Sequence, residues 1–261
     1  GVFERDFGVK LILIANNDII TYTAPLTDPY SDSTIKSNWR SELKTNLNTV
    51  IGLANYDIGH LLGAAAFGGG GDAGCIGCVC SDFNKGAGYT CANPNLFSGD
   101  TFDIDYVAHE MGHQLGANHT FTYKLDNNIA QLEPGSGSTI MAYGGTMKGF
   151  QDHTDTYFHA ISIQQVTDYI KTKSCPIVIS TGNAVPIVNA GLDYTIPKGT
   201  PFLLTGSASD ANTDDVLTYT WEEMDLGDQT TTTPTATNTA GPLFRSYSPR
   251  TSATRYFPTM T

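Results

Sequence analysis

Three histidines and one glutamate lie at fixed offsets in the segment HEMGHQLGANH, which runs from His109 to His119. On a helix, His109 and His113 are one turn apart, so both imidazoles project from one face and can bind one metal ion. Glu110 is adjacent to the first ligand and can hold a water at the metal and accept its proton. Gly116 tolerates the left-handed backbone that ends a helix, after which His119 can turn back as a third ligand. Three protein ligands leave one tetrahedral position open, which is typical of catalytic rather than structural zinc.

A bare H-E-x-x-H often occurs by chance, and a helical histidine is usually a surface or capping residue. Here the longer pattern H-E-x-x-H-x-x-G-x-x-H is present in order. The chain therefore resembles the metzincin clan of zinc endopeptidases. The segments ANYDIGHLL and YFHAIS are most similar to bacterial reprolysin-like (adamalysin-like) proteins, over about the first two thirds of the chain. The resemblance implies a secreted α/β (α+β) catalytic domain with a mixed sheet and an active-site helix.

The resemblance also implies roles for residues beyond the zinc ligands. The segment STIMAYGG follows the helix, and its Met141 matches the methionine of a turn beneath the metal. Tyr143 lies where typical reprolysins carry proline and other metzincin groups carry tyrosine. Its phenol either hydrogen-bonds the oxyanion or is a buried aromatic in the wall of the specificity pocket. Thr120 is another departure, because reprolysin-like proteins usually have aspartate after the third histidine.

The segment AGCIGCVC, residues 73–80, predicts a strand of small residues. In metzincins the edge strand above the zinc pairs with extended substrate, and small side chains let a peptide backbone approach closely. The resemblance thus assigns substrate binding to this strand, at Gly74, Cys75, Ile76 and Gly77.

Four of the five cysteines are crowded into one short segment, and the set comprises Cys75, Cys78, Cys80, Cys91 and Cys175. A zinc ribbon would need a second C-x-x-C pair, which the chain lacks, so disulfides of a secreted protein are the favoured interpretation. The resemblance implies a Cys80–Cys175 bridge. One cysteine stays unpaired within the chain, and the pairing of Cys75, Cys78 and Cys91 is open.

The net charge is −12, from 14 Lys+Arg and 26 Asp+Glu. This acidic balance argues against nucleic acid or an anionic membrane as a partner, because both attract basic patches. No apolar run reaches the roughly 20 residues that span a bilayer. The chain begins without methionine or a signal peptide. We expect a processed or truncated start, with the N-terminal part of the catalytic domain missing.

The remaining elements of the first domain follow from apolar spacing. Residues 9–15 (VKLILIA) predict a strand covered on both faces. Apolar residues at four-residue spacing predict a helix over 35–51, and Ser162 with Gln165 forms a capping box for a helix ending near Lys173. The glycine run 68–71 lacks the rest of a phosphate-binding loop and predicts a flexible surface loop. Three further histidines are interpreted as hydrogen-bonded structural residues: His60, His153 and His159.

A composition rich in Pro, Gly, Ser and Thr marks a linker over 176–186, which divides the chain into a protease domain, 1–180, and a second domain, 184–261. Three segments alternate like strands there, and Trp221 in LTYTWEE resembles the buried tryptophan of an immunoglobulin/PKD-like sandwich. We expect a partial all-β sandwich, with a surface or glycan as its partner. Asp210, Asp214 and Asp215 offer calcium ligands, although a solvated turn is the favoured interpretation.

The sequence predicts a zinc-dependent endopeptidase whose substrate is an extended protein or peptide. The first alternative is a catalytically degenerate scaffold that acts as a glycan- or surface-binding module, against which the intact Glu110 and the three histidines argue. The second is a non-proteolytic zinc hydrolase. The third-ligand motif followed by Met141 argues against it.

Overall fold

The computed structural model describes residues 1–65, 68–92, 97–124, 126, 129–148, 150–229, 235 and 237–259. Its helices within these ranges are α1 (Val2–Phe7), α2 (Trp39–Asn46), α3 (Asp100–Phe102), α4 (His109–Gln114) and α5 (Ala160–Lys171). Short 3₁₀ turns occupy Asn17–Ile20, Ser33–Asn38 and Leu53–Asn55, and π-helical stretches occupy Leu47–Ile51 and Asp103–Ala108. None of the helices in the described part of the chain is long and apolar enough to cross a membrane.

A three-stranded sheet lies in the first part of the chain, with β1 (His60–Ala64), β2 (Gly70–Asp72) and β3 (Gly88–Ala92) in the order β1-β3-β2. β1 runs parallel to the central β3, with His60 opposite Gly88, and β2 runs antiparallel to β3, with Gly71 opposite Thr90. The mixed sheet that the sequence predicts is therefore present, although it is small. β2 forms one edge of it.

The helix predicted over 35–51 is present as three consecutive pieces: the Ser33–Asn38 turn, α2 and the Leu47–Ile51 π-helical stretch. Trp39, which is 4% exposed, packs on the sheet. A Cβ added at Gly63 of β1 would lie 2.8 Å from the indole ring of Trp39. The rings of Trp39 and of Tyr89 in β3 pack edge to face, with their centres 5.4 Å apart. Trp39 is thus the core anchor that its spacing predicts, because glycine at position 63 leaves room for the indole.

α3, the Asp103–Ala108 stretch and α4 follow one another without a break, and we call residues 100–114 the histidine helix. Its apolar side packs in the largest core cluster, which joins it to α5 and to the turn containing Met141. The buried members of this cluster are Val79, Ala108, Leu115, Ala117, Ile140, Met141, Phe158 and Val166. Burial of each Val, Leu, Ile, Met or Phe side chain in the cluster contributes about 1.5–3 kcal/mol, which fixes the helix against the turn.

Two predictions at the start of the chain and of α5 are wrong. Residues 9–15 form no strand, and Leu11, Ile12 and Leu13 are 38%, 72% and 74% exposed. An apolar run becomes a strand only where a neighbouring strand pairs with its backbone, and β1 pairs only with β3 among the described residues. α5 begins after the N-cap His159, whose ring accepts a hydrogen bond from Ile161 N, rather than at Ser162.

The predicted strand over 73–80 is also wrong, and with it the edge-strand position of Gly74, Cys75, Ile76 and Gly77. The backbone bends there because a disulfide joins Cys75 to Cys78 and because Gly74 and Gly77 have φ of 78° and 72°. β2, which overlaps the glycine run 68–71 that predicts a loop, is instead an edge strand of the sheet.

The other disulfide joins Cys80 to Cys175, the pair that the resemblance implies, and Cys91 is free and buried in β3. The bent segment has a structural task. Its backbone N–H groups at Gly77 and Cys78 donate to His113 O and Gln114 O, at 2.8 and 2.9 Å. They therefore satisfy carbonyls at the end of the histidine helix that lack partners within the helix.

The described residues in the last third of the chain form two two-stranded antiparallel sheets. β4 (Ile187–Asn189) pairs with β6 (Ser207–Ser209), and β5 (Phe202–Thr205) pairs with β7 (Thr254–Phe257). The predicted strand LTYTWEE is absent, since within it only Tyr219 forms a bridge, with Arg250. An immunoglobulin-like sandwich is therefore not confirmed, and the division into 1–180 and 184–261 stays a prediction.

The C-terminal part returns to the first part of the chain at a cluster of polar contacts. Glu222 accepts a hydrogen bond from Ala160 N at 2.6 Å, at the start of α5. Tyr157 donates to Ser246 Oγ at 2.7 Å, and both residues are buried. Arg245 forms an ion pair with Asp155 at 3.2 Å. We call this set of contacts the return interface.

Candidate metal centre

The histidine helix ends so that the chain can turn back on it. Gly116 N donates to His113 O and Ala117 N donates to Gly112 O, at 2.9 and 3.0 Å. This is the double hydrogen bond of a Schellman motif, which requires a left-handed residue after the helix. Gly116, with φ of 115°, supplies it, as the sequence predicts. The turn brings His119 back towards the helix.

The three histidines meet through their Nε2 atoms. Nε2 of His119 lies 3.0 Å from Nε2 of His113 and 3.2 Å from Nε2 of His109. Tetrahedral zinc with Zn–N bonds of about 2.0–2.1 Å separates its nitrogen ligands by roughly 3.3 Å. Both distances are close to this value, so the cluster offers three nitrogens to one zinc ion. It is the only group of three or more metal-ligating side chains among the described residues.

The other ring nitrogens fix which nitrogen carries the proton. His109 Nδ1 lies 2.7 Å from Ile140 O, and His113 Nδ1 lies 2.7 Å from Ala117 O. A carbonyl oxygen only accepts, so each Nδ1 is the protonated donor and each Nε2 presents its lone pair to the cluster.

Burial keeps the three rings neutral. Burial lowers the pKa of His109 and His113, and together with the neighbouring His113 it lowers the pKa of His119 to about 3. Neutral imidazole is the form that binds a metal. At neutral pH the cluster is thus ready to bind a cation without first releasing protons.

The Glu110 side chain extends from the histidine helix to β2. Its carboxylate accepts a hydrogen bond from Ala73 N, and a Cβ added at Gly71 would lie 2.4 Å from its Cγ. Burial, and then the charge of Asp72, raise the pKa of the carboxyl to about 8. At that pKa the carboxyl holds its proton at neutral pH. A cation on the three histidines would lower the pKa and leave the carboxylate ionised, as a general base must be.

The Met141 turn lies beneath the histidines. Met141 is fully buried, and a Cβ added at Gly112 of the helix would lie 2.5 Å from its sulfur. Met141 O accepts from Thr120 N at 3.1 Å, and the preceding residue holds His109 through its carbonyl. The turn thus contacts both the helix and the segment that carries the third histidine.

The Tyr143 ring lies against two of the histidines, with ring centres 5.4 Å from His109 and 4.8 Å from His119. Burial and then the Glu110 charge raise the pKa of the phenol to about 12, so it remains protonated at neutral pH. Phe121 completes an aromatic wall at 4.6 Å from Tyr143.

Sequence reasoning missed Asp126 and Lys124. Asp126 Oδ2 lies 2.5 Å from His119 Nδ1, so it holds the third histidine as the two carbonyls hold the others. Lys124 Nζ lies 4.9 Å from the centre of the Tyr143 ring. Both residues lie several positions after the H-E-x-x-H pattern. The only sign of them in the sequence is that a charged residue follows shortly after the third histidine.

The other predicted site residues lie away from the cluster. His60 is buried between Gln114 Oε1 and Thr90 Oγ1, at 2.7 and 2.8 Å, and so is structural as predicted. His153 hydrogen-bonds Thr154 O, and His159 caps α5. Calcium is not supported, since no described acidic residue joins a metal-ligating group of three.

Three neutral imidazoles beside a carboxylate are the donor set of a hydrolytic zinc centre. The sequence model of the Metallo-peptidase family M12B Reprolysin-like matches residues 1–171. The match covers well over half of the chain, and the chain belongs to this family of zinc metallopeptidases. No curated protein matches the chain.

Proposed function

We propose that the chain is a secreted metzincin endopeptidase, in which zinc is bound by His109, His113 and His119. The observation that carries this proposal is the convergence of three Nε2 atoms beside the buried Glu110. The two disulfides support an oxidising, extracellular location. Protein or peptide substrates follow from the peptidase family.

Bound zinc supplies a Lewis acid that lowers the pKa of a water and polarises the scissile carbonyl. Glu110 accepts the proton of the attacking water and hands it to the leaving amine. Tyr143, beside His109 and His119, donates a hydrogen bond to the oxyanion. Met141 keeps the helix and the third-ligand segment together beneath the metal.

The substrate binds as an extended strand along β2 rather than along residues 74–77. β2 is a sheet edge, and its only strand partner among the described residues is β3. Gly71 in this strand is close to Glu110, so a peptide paired with β2 would pass over the general base. The C-terminal part of the chain, from residue 184, is proposed to be an immunoglobulin/PKD-like module that binds a surface or a glycan.

Glu110→Gln tests the proposal, because it keeps the size of the side chain but removes the base. We expect hydrolysis of an internally quenched peptide to fall by about 10²–10⁴-fold while one zinc per chain remains bound. Glu4→Gln, at an exposed position of α1, is the matched control and should keep full activity. A chelator should abolish wild-type activity. Unchanged turnover in Glu110→Gln, or chelator-resistant cleavage, would refute the proposal.

A further inference from the structure

Glu133 is a fully buried carboxylate outside the set of ligands and general base. No Lys, Arg or His side chain in the described part of the chain lies within ion-pair distance of it. Burying such a group is costly unless hydrogen bonds replace its hydration. The hydrogen-bond partners of Glu133 therefore indicate the role of this buried carboxylate.

Hydroxyl and backbone donors surround both carboxylate oxygens. Thr120 Oγ1 donates to Oε1 at 2.7 Å, and Thr139 Oγ1 donates to the same oxygen. Ser138 donates to Oε2 through its N–H at 2.7 Å and through its hydroxyl at 2.8 Å. Thr139 N–H lies 3.2 Å from Oε2. In every one of these contacts Glu133 is the acceptor, so the donors replace the hydration that the carboxylate loses on burial.

These donors come from the two segments that build the metal centre. Thr120 directly follows His119 in the chain. Ser138 and Thr139 directly precede the residue whose carbonyl holds His109 Nδ1. One carboxylate thus joins the segment of the third ligand to the segment that orients the first. The hydrogen bond from Thr120 N–H to Met141 O is a second link between the same two segments.

We propose that Glu133 is a positioning residue of the zinc site, which sets the distance between His119 and His109 by holding both segments on one buried charge. The inference rests on the proposed zinc-binding function of these histidines. Partners behind the ligands commonly change metal affinity by about 10–100-fold when they are removed. Loss of Glu133 should therefore loosen the third ligand in addition to any loss of stability.

Glu133→Gln keeps the shape but replaces one acceptor with an NH₂ group that faces hydroxyl and N–H donors. We expect zinc affinity, measured by competition with a chromophoric chelator, to fall about 10–100-fold. The visible absorption spectrum of the cobalt-substituted protein should shift from the tetrahedral wild-type pattern. A role limited to stability would move neither measurement at a temperature where the protein is folded.

Glu222→Gln is the matched control, because Glu222 is another buried carboxylate with hydrogen-bonded partners, at the return interface. It should lower the melting temperature and leave zinc affinity and the cobalt spectrum unchanged. Thr120→Val removes one donor to Glu133 and should weaken zinc binding several-fold, whereas Thr120→Ser keeps the hydroxyl and should restore wild-type affinity. This pair decides the question if Glu133→Gln does not fold.

Wild-type zinc affinity and cobalt spectra in Glu133→Gln and Thr120→Val would overturn the proposal and leave Glu133 a purely structural residue. That result is distinct from failure of the proposed function. Wild-type protein that binds no zinc refutes the function, whatever the variants do. Wild-type protein that binds zinc, together with unaffected variants, refutes only the role of Glu133.

Discussion

Gly71→Ala tests whether the place of Glu110 depends on the absence of a side chain in β2. A Cβ at this position would lie 2.4 Å from Glu110 Cγ, 2.7 Å from Oε1 and 2.8 Å from Cδ. Carbon atoms in contact are normally about 3.5–4.0 Å apart, so the carboxylate must move by about 1 Å. The backbone of Gly71 is not left-handed, and alanine meets no conformational obstacle there.

The expected displacement of the Glu110 carboxylate gives an estimate of the loss of catalytic rate. A misplacement of about 1 Å in a catalytic group costs on the order of 10²-fold, or about 2.7 kcal/mol of transition-state stabilisation. We expect kcat/KM on a quenched peptide to fall by about that factor. Because the three atoms nearest to an added Cβ all belong to Glu110 and none to a histidine, zinc content should stay at one per chain. The melting temperature should stay near wild type, since alanine loses less conformational freedom than glycine on folding.

The control for Gly71→Ala is Ala64→Val, which adds carbon atoms at an exposed position of β1 in the same sheet. It should leave kcat/KM unchanged. Activity of Gly71→Ala within threefold of wild type would show that Glu110 can relax without cost. Loss of zinc from the variant would show that the clash reaches the ligands. Either result would refute the reasoning.

Two further substitutions test the packing and the hydrogen bonding of the histidines. Gly112→Ala gains helix propensity of about 1 kcal/mol but places a Cβ 2.5 Å from Met141 Sδ, and overpacking of this kind costs about 1–3 kcal/mol. We expect calorimetry to show a melting temperature several degrees lower. A higher melting temperature would mean that the Met141 turn moves aside at no cost, against this reasoning. Asp126→Ala removes the acceptor of His119 Nδ1 and should weaken zinc binding about 10–100-fold in a chelator competition, so an unchanged affinity would contradict the orienting role.

The parts of the site that the sequence predicts are those fixed by local geometry. His109 and His113 share a helix face because of their spacing, and Gly116 ends the helix because it accepts a left-handed backbone. These relations need no knowledge of the rest of the fold. The same holds for the buried Trp39, whose four-residue spacing with other apolar residues marks a helix face.

The parts that the sequence does not predict depend on contacts between distant segments. Whether residues 9–15 or 73–80 become strands is decided by which backbone lies beside them, and the Cys75–Cys78 disulfide bends the second of these segments. The short, glycine-rich β2 carries too few side chains to show alternation. Thr120 stands where the resemblance leads one to expect aspartate. Nothing in the neighbouring sequence shows that Glu133, 13 residues later, places a carboxylate beside Thr120.

The return interface has a consequence for how the protein can be dissected. A shortened chain ending near residue 180 would uncover the Tyr157 ring, which is 5% exposed in the full chain, and would leave Ala160 N without the Glu222 carboxylate. Tyr157 lies between the Met141 turn and α5, and Ala160 is the first residue of α5. Removing the C-terminal part would therefore expose buried groups next to the segment that holds the histidines. The protein is better expressed and studied as the full chain than as separate domains.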